Sequence, residues 1–249
     1  MNTVRTVSDT KKDFYLAFPK PVNQVYRRVV DELLVEVHLL KVNQTFVYDA
    51  IFALGFVTTF DRFTVGYKPE SDRFAVFHAL CSSLQFDSDR IRQDATTLSD
   101  LATRSPSDIK AILTNLDSGI NLEPLSGQLH TIASKENFKY SRLLGVGLYA
   151  LLEISDPDDI ADSTKREEVI KLVGETLKFG SDRLLKDVDL YRSNLDKIEQ
   201  ARQMIADMVE AERKKRAQKE AASVSAATTD STSDTPETTS LGLTQKNEP

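Results

Sequence analysis

One uninterrupted apolar run constrains the fold more than any other stretch of this chain. Between Asp49 and Asp61 lie 11 uncharged residues, Ala50 to Phe60. A helix that spans a bilayer needs about 20 predominantly apolar residues, so this run is too short. The charged pair Asp61-Arg62 then closes it. We therefore predict a helix that is buried on nearly all sides in a protein core, and not a membrane-spanning segment.

The remainder of the sequence favours helices over strands. The chain has 249 residues but only 9 glycines and 8 prolines, so helix-breaking residues are sparse. Apolar residues recur every three or four positions, and no stretch alternates with the period of two that is typical of a sheet. The predicted fold class is all-α, with a compact helical bundle-like domain and a long C-terminal helix.

Short oxygen-bearing side chains mark the expected helix starts, because they can accept hydrogen bonds from free backbone N–H groups. We expect Ser8 or Asp9 to cap the first helix and Asn23 to cap the second. Asp87 or Ser88 is expected to cap a later one. The segment SDPDD, residues 155–159, is interpreted as a capping turn that ends a helix.

Three regions are predicted along the chain. Residues 1–180 form a helical domain, residues 181–220 form a long and partly projecting helix, and residues 221–249 form a disordered tail. The tail is rich in Ser, Thr and Ala and has almost no large apolar residues to offset the entropy of ordering. In the long helix, apolar residues follow steps of four and three, as in a heptad seam. The seam consists of Leu184, Val188, Tyr191, Leu195, Ile198, Arg202, Ile205 and Val209.

Candidate chemistry is scarce. The net charge of −6 disfavours generic nucleic-acid binding, which needs a basic face. Cys81 and His78 are the only plausible pair of nucleophile and base, but in their apolar surroundings core packing is the favoured interpretation. The single cysteine and the three histidines are scattered and do not match the ligand spacing of a zinc site. Gly145-Val146-Gly147 lacks the rest of a dinucleotide-binding motif. We expect these glycines to let two helices approach closely. No catalytic, cofactor-binding or metal-binding residue is predicted.

Three stretches together resemble one known family. They are TVSDTKKDFYLAFPKPVNQVYRRVVDELLVEVHLL near the start, FVYDAIFALGFVTTFDRFTVGYKPE in the core, and DVDLYRSNLDKIEQA in the long helix. From about Val7 to Ala211 the chain resembles the thylakoid formation protein family, also called the photosystem II biogenesis protein 29 family. The N-terminus lacks an apolar signal core and the pattern of a transit peptide. The resemblance is therefore to a cyanobacterial member.

This resemblance implies a non-catalytic auxiliary protein of photosystem II biogenesis and repair and of thylakoid membrane organisation. The implied partners are an FtsH-type membrane-anchored protease complex, which the protein helps to maintain, and photosystem II assembly or repair intermediates. The implied location is the cytoplasmic side of the thylakoid membrane, with peripheral attachment and a soluble cytoplasmic pool. The family has no established catalytic motif to transfer to this sequence.

The candidate partner contact is the apolar seam of the long helix. We expect exposed parts of five side chains to contribute: Tyr191, Leu195, Ile198, Ile205 and Val209. The alternative is that these residues pack back on the helical domain. Two other functions stay open at this point: a pigment- or lipid-binding module with pockets between helices, and an enzyme that uses Cys81 and His78.

Overall fold

A computed structural model of the protein describes residues 5–229, which form eleven α-helices and no β-strand. The all-α prediction is confirmed. In chain order the helices are α1 (Val7–Ala17), α2 (Gln24–Lys41), α3 (Ala50–Phe63), α4 (Glu70–Ser83), α5 (Ser88–Arg104), α6 (Pro106–Thr114), α7 (Leu125–Ser134), α8 (Arg142–Ser155), α9 (Pro157–Ala161), α10 (Ser163–Thr176) and α11 (Ser181–Thr229).

Most helix starts follow the capping residues of the sequence. Asn23 caps α2 and Asp87 caps α5, as predicted. For α1 the prediction of Ser8 or Asp9 is wrong, because Thr6 is the cap. The Thr6 hydroxyl accepts a hydrogen bond from the Asp9 backbone N–H at 3.2 Å, and the Asp9 carboxylate accepts one from the Thr6 N–H at 2.9 Å. This reciprocal capping box satisfies two free backbone donors at once, which a cap at Ser8 would not do.

The SDPDD segment does more than end a helix. After α8 ends at Ser155, the Asp156 side chain accepts a hydrogen bond from the Asp159 backbone N–H and starts the short helix α9. Pro157 occupies the first turn of α9, where its missing N–H costs no hydrogen bond. The capping role is confirmed, but the segment opens a new helix as well as closing the old one.

Helix α3 contains the apolar run from Ala50 to Phe60, and it lies between two hydrophobic clusters. Ile51 and Leu54 belong to a cluster with side chains from α5 to α8, α10 and α11. Phe52, Phe56 and Phe60 belong to a second cluster with α1, α2 and α4. Because the two clusters cover opposite faces of α3, the helix is buried on nearly all sides, as predicted. No helix among residues 5–229 is long and apolar enough to cross a membrane.

Two glycines allow α3 and α8 to cross in direct backbone contact. A Cβ atom added to Gly147 would lie 2.0 Å from the carbonyl oxygen of Ile51. One added to Gly55 would lie 1.7 Å from the carbonyl oxygen of Leu143. No side chain fits at either position, so the prediction that glycines of α8 permit a close helix approach is confirmed.

The described chain separates into two compact units, the first ending at Ile198 and the second beginning at Glu199. Helix α11 contributes to both, because its residues before Glu199 belong to the first unit. The sequence placed a boundary at residue 180, and this boundary does not coincide with the division between the units. The backbone of residues 221–229 is helical. The disordered tail at residues 221–249 stays a prediction. Residues 230–249 lie outside the described part of the chain.

Asp49 caps α3 and should give the protein a distinctive pH dependence. Its carboxylate accepts a hydrogen bond from the Phe52 N–H at 2.7 Å, yet burial raises the pKa of Asp49 to about 6. The folded state therefore binds this proton more tightly than the unfolded chain, whose pKa is about 3.9. The stabilisation from Asp49 is complete below the unfolded pKa and is lost as the pH rises through about 6.

We expect the free energy of unfolding of the wild type, relative to Asp49→Asn, to rise by about 1 kcal/mol when the pH falls from about 7.5 to about 5. Urea unfolding of both proteins at the two pH values measures this difference. Asp87→Asn is the matched control for loss of a capping carboxylate at an exposed site. A difference that is constant with pH, or that grows at high pH, would contradict the expectation.

Candidate functional site

The five residues of the predicted partner contact differ in accessibility. The Tyr191 side chain is 3% exposed, and its ring packs edge-to-face on Phe63, with ring centroids 5.5 Å apart. Leu195 and Ile198 are partly buried against the same hydrophobic cluster. Tyr191 therefore offers no surface to a partner, and this part of the seam follows the alternative in which the residues pack on the helical domain.

The remaining two residues, Ile205 and Val209, are exposed. They are 43% and 61% exposed, and two methionines that the sequence analysis did not single out lie beside them. Met204 is 61% exposed and Met208 is 71% exposed. Positions 204, 205, 208 and 209 share one face of a helix because they repeat with steps of four. We call these four residues the α11 apolar face. The sequence did carry a signal for this face, because the adjacent pairs Met204-Ile205 and Met208-Val209 are four residues apart.

The structure does not bring Cys81 and His78 together as a reactive pair. Cys81 is completely buried, and burial raises the pKa of its thiol to about 12, which opposes thiolate formation. His78 lies on the exposed side of α4. Within residues 5–229, no group of three or more His, Cys, Asp or Glu side chains is arranged to hold a metal ion.

A long open groove runs along α2 in the first unit. It has a volume of about 1020 Å³ and lies between α2, the segment before α8 and the beginning of α11. We call it the α2 groove. Val35 and Leu39 supply apolar surface, and Leu39 is 56% exposed. Six cationic and four anionic side chains line it: Lys11, Arg27, Arg28, Lys139, Arg142 and Arg183, with Asp31, Glu32, Glu36 and Asp187.

Each carboxylate of the α2 groove already has a partner in the protein. Asp31 pairs with Lys11 at 3.5 Å, and Glu32 accepts a hydrogen bond from Arg28 at 2.8 Å. Glu36 forms an ion pair with Arg142. Asp187 accepts a hydrogen bond from the Tyr140 hydroxyl at 2.9 Å.

Three cations of the groove have no such ion pair within the described chain. Arg27 and Lys139 are exposed and unpaired, and the Arg183 guanidinium lies 4.5 Å from the centre of the Tyr140 ring. These side chains come from three different elements. The groove therefore presents an excess of positive charge on a protein whose net charge is −6.

A smaller cavity adjoins the groove across a ridge of α2 residues. It has a volume of about 220 Å³ and lies between α2, α3, α8 and α11, and we call it the α2–α11 pocket. Arg28, Glu32 and Glu36 form the ridge, since they line both depressions. Half of the residues that line the pocket are apolar or aromatic: Val29, Leu33, Phe63, Leu143, Val146, Tyr191 and Ile198.

Sequence reasoning missed the groove and the pocket because both depend on long-range packing. Glu36 and Arg142 are 106 positions apart in the chain and meet only in the folded protein. The local signal was limited to the charged pairs of α2, such as Arg28 and Glu32, which the spacing of four places side by side.

Comparison with known proteins gives consistent matches over most of the chain. The model of the thylakoid formation protein family matches residues 6–220. Protein Thf1 of Trichormus variabilis is 48% identical over 221 residues, covering 88% of this chain and 95% of that protein. Protein Thf1 of Crocosphaera subtropica is 50% identical over 218 residues, covering 87% and 89% of the two chains.

A solved structure of Psb29 at 1.55 Å is similar in both sequence and fold. It is 42% identical to this chain, with a TM-score of 0.74, and the match covers 86% of this chain and 100% of the other. The sequence resemblance, the family model and the shared fold thus agree, and the chain belongs to the thylakoid formation protein family.

Proposed function

We propose that this protein is a non-catalytic auxiliary factor of photosystem II biogenesis and repair. In this proposal it acts peripherally on the cytoplasmic side of the thylakoid membrane, with a soluble pool in the cytoplasm. There it binds and helps to maintain FtsH-type proteases, and it meets photosystem II assembly or repair intermediates. Membership of the thylakoid formation protein family supports a role in thylakoid and photosystem II biogenesis.

The observation that carries the partner contact is the α11 apolar face. Met204, Ile205, Met208 and Val209 are each at least 43% exposed, although large apolar side chains gain free energy when they are removed from water. Methionine side chains are flexible and adapt to varied surfaces, which suits a contact with another protein. A partner that covers this face would bury all four side chains together.

Ion pairs on the rest of the helix leave this face available. Arg202 pairs with Glu199 at 2.5 Å, and Lys214 pairs with Glu210 at 2.7 Å. Such pairs, three or four residues apart, favour the helical state by a few tenths of a kcal/mol each. None of these paired charged side chains belongs to the α11 apolar face.

The decisive experiment replaces two residues of the α11 apolar face in the full-length chain. In Ile205→Glu/Val209→Glu, charged side chains would have to be buried in the contact, so we expect recovery of the protease to fall at least about tenfold. The measurement is affinity isolation of the tagged protein from detergent-solubilised thylakoids, with quantitative mass spectrometry of FtsH subunits.

The matched control is Gln203→Glu/Ala206→Glu, which adds the same charge to exposed positions of the same helix that lie on the side away from the α11 apolar face. It should recover FtsH subunits as the wild type does. Equal recovery with the Ile205→Glu/Val209→Glu protein would show that the α11 apolar face is not the contact. If none of the three proteins recovered the protease, a direct interaction would be excluded.

A further inference from the structure

We propose that the α2 groove and the α2–α11 pocket form one docking site for an acidic segment of a partner protein, with one aromatic side chain inserted into the pocket. This site lies on the first unit and uses none of the residues of the α11 apolar face. The inference therefore stands or falls independently of the contact proposed with FtsH-type proteases.

The charge of the occupant follows from the pairing within the groove. All four carboxylates of the groove are engaged by Lys11, Arg28, Arg142 and the Tyr140 hydroxyl. Arg27 and Lys139 have no such partner within the described residues, and Arg183 only stacks on an aromatic ring. An occupant with several carboxylates would complete these interactions, whereas a basic one would meet unpaired like charge.

The position of the three cations favours a protein segment over a single anionic group. Arg27 belongs to α2, Lys139 to the segment before α8, and Arg183 to the first turn of α11. Their charges are thus distributed along a groove of about 1020 Å³ and are not gathered at one point. A peptide segment with carboxylates at several positions can form ion pairs with all three cations at once, as in the recognition of acidic motifs by arginine clusters.

The size of the pocket indicates what the segment inserts. Its volume of about 220 Å³ is below the range of about 300–1,000 Å³ that is usual for sites of whole small molecules. It is sufficient for one large side chain. The walls include the aromatic ring of Phe63, with the partly buried side chains of Val29 and Ile198 beside it, and another aromatic ring packs favourably on such a surface. Aromatic anchors in apolar pockets with polar rims contribute much of the affinity of many protein interfaces.

The ridge between the α2 groove and the α2–α11 pocket should set the spacing between the inserted aromatic side chain and the acidic residues of the bound segment. Glu36 pairs with Arg142, and Arg28 pairs with Glu32, so these side chains fix the rim from both sides. Lys197 lines the pocket and is exposed, which adds one more cation at its mouth. A segment that crosses the ridge therefore places carboxylates on both sides of its anchor near positive charge.

The test uses the purified full-length chain and a fluorescein-labelled peptide of about twelve residues, with one tryptophan flanked by glutamates. Fluorescence anisotropy measures its affinity. We expect this peptide to bind at least about tenfold more tightly than two matched versions, one with tryptophan replaced by alanine and one with the glutamates replaced by glutamine. Its affinity should also fall as the salt concentration rises.

Two charge-reversal variants locate the site. Arg27→Glu/Lys139→Glu should weaken binding of the acidic tryptophan peptide at least about tenfold. Lys135→Glu/Lys215→Glu makes the same change of net charge at exposed positions that do not line the groove, and it should bind within about twofold of the wild type. Circular dichroism of both variants should match the wild type, because all four positions are exposed.

Several results would overturn the proposal. They are no binding of the acidic tryptophan peptide at about 1 mM, equal binding of either matched version, or an equal loss in both charge-reversal variants. A separate titration uses vesicles of phosphatidylglycerol in phosphatidylcholine. If Arg27→Glu/Lys139→Glu reduced vesicle binding while the peptides did not bind, the groove would be an anionic lipid site and not a peptide site.

Discussion

Replacing Gly147 with alanine is expected to destabilise the protein by more than about 3 kcal/mol, a loss comparable to the larger effects of overpacking. The new methyl group would lie 2.0 Å from the Ile51 carbonyl oxygen, so α3 and α8 would have to separate. Since α3 lies between both hydrophobic clusters, the separation would loosen packing on each side of it. Urea unfolding followed by circular dichroism measures the change.

Gly127→Ala is the matched control for this substitution. A Cβ atom at Gly127 would lie 3.1 Å from a carboxylate oxygen of Glu123, at the end of a flexible side chain that can move. Alanine also has a higher helix propensity than glycine by up to about 1 kcal/mol, so this variant of α7 should be neutral or slightly more stable. If Gly147→Ala unfolded at the same urea concentration as the wild type, the direct backbone contact of α3 and α8 at Gly147 would be contradicted.

A chain that ends at Phe179 should lose its cooperative fold. It lacks Leu184, Val188 and Tyr191, which are 1%, 1% and 3% exposed and belong to the core of the first unit. Burial of each large apolar side chain contributes about 1.5–3 kcal/mol. Their combined loss is comparable to the total stability of a typical domain, which is about 5–15 kcal/mol. Thermal unfolding by calorimetry or circular dichroism measures whether a cooperative transition persists.

A second truncated chain, ending at Glu210, keeps all of α11 that belongs to the first unit. It should unfold cooperatively within a few degrees of the full-length protein, since it retains the three buried side chains. A cooperative transition at the wild-type temperature in the chain that ends at Phe179 would show that α11 does not support the core.

The fold was largely predictable because its main signals are local. The length of the apolar run at Ala50 to Phe60, the caps at Asn23 and Asp87, and the glycines of α8 each act within a few residues. The capping box of α1 was missed because it needs a reciprocal pair, Thr6 with Asp9, and not a single good capping residue. Local sequence signals were therefore enough to predict that these segments are helices. The residue at which α1 begins depended on the paired side chains of Thr6 and Asp9.

The candidate sites were less predictable because they depend on which surfaces remain uncovered. The periodic seam of α11 is one pattern in the sequence, yet Tyr191 is buried while Val209 is 61% exposed. Periodicity reports which residues share a helix face, and it does not report where the neighbouring helices stop. In the same way, the excess of cations in the α2 groove is visible only in the folded protein, where carboxylates such as Glu36 pair with residues that are distant in the sequence.

The thiol of Cys81 is a natural probe of fluctuations that expose the protein core to solvent. Cys81 is the single cysteine of the sequence, it is completely buried, and burial raises the pKa of its thiol to about 12. Thiol reagents modify the thiolate, so reaction in the native state has to wait for a fluctuation that exposes α4 to solvent. Each adduct on this sulfur thus records one local or global unfolding event, and labelling rates follow conformational excursions of the core without any engineered probe.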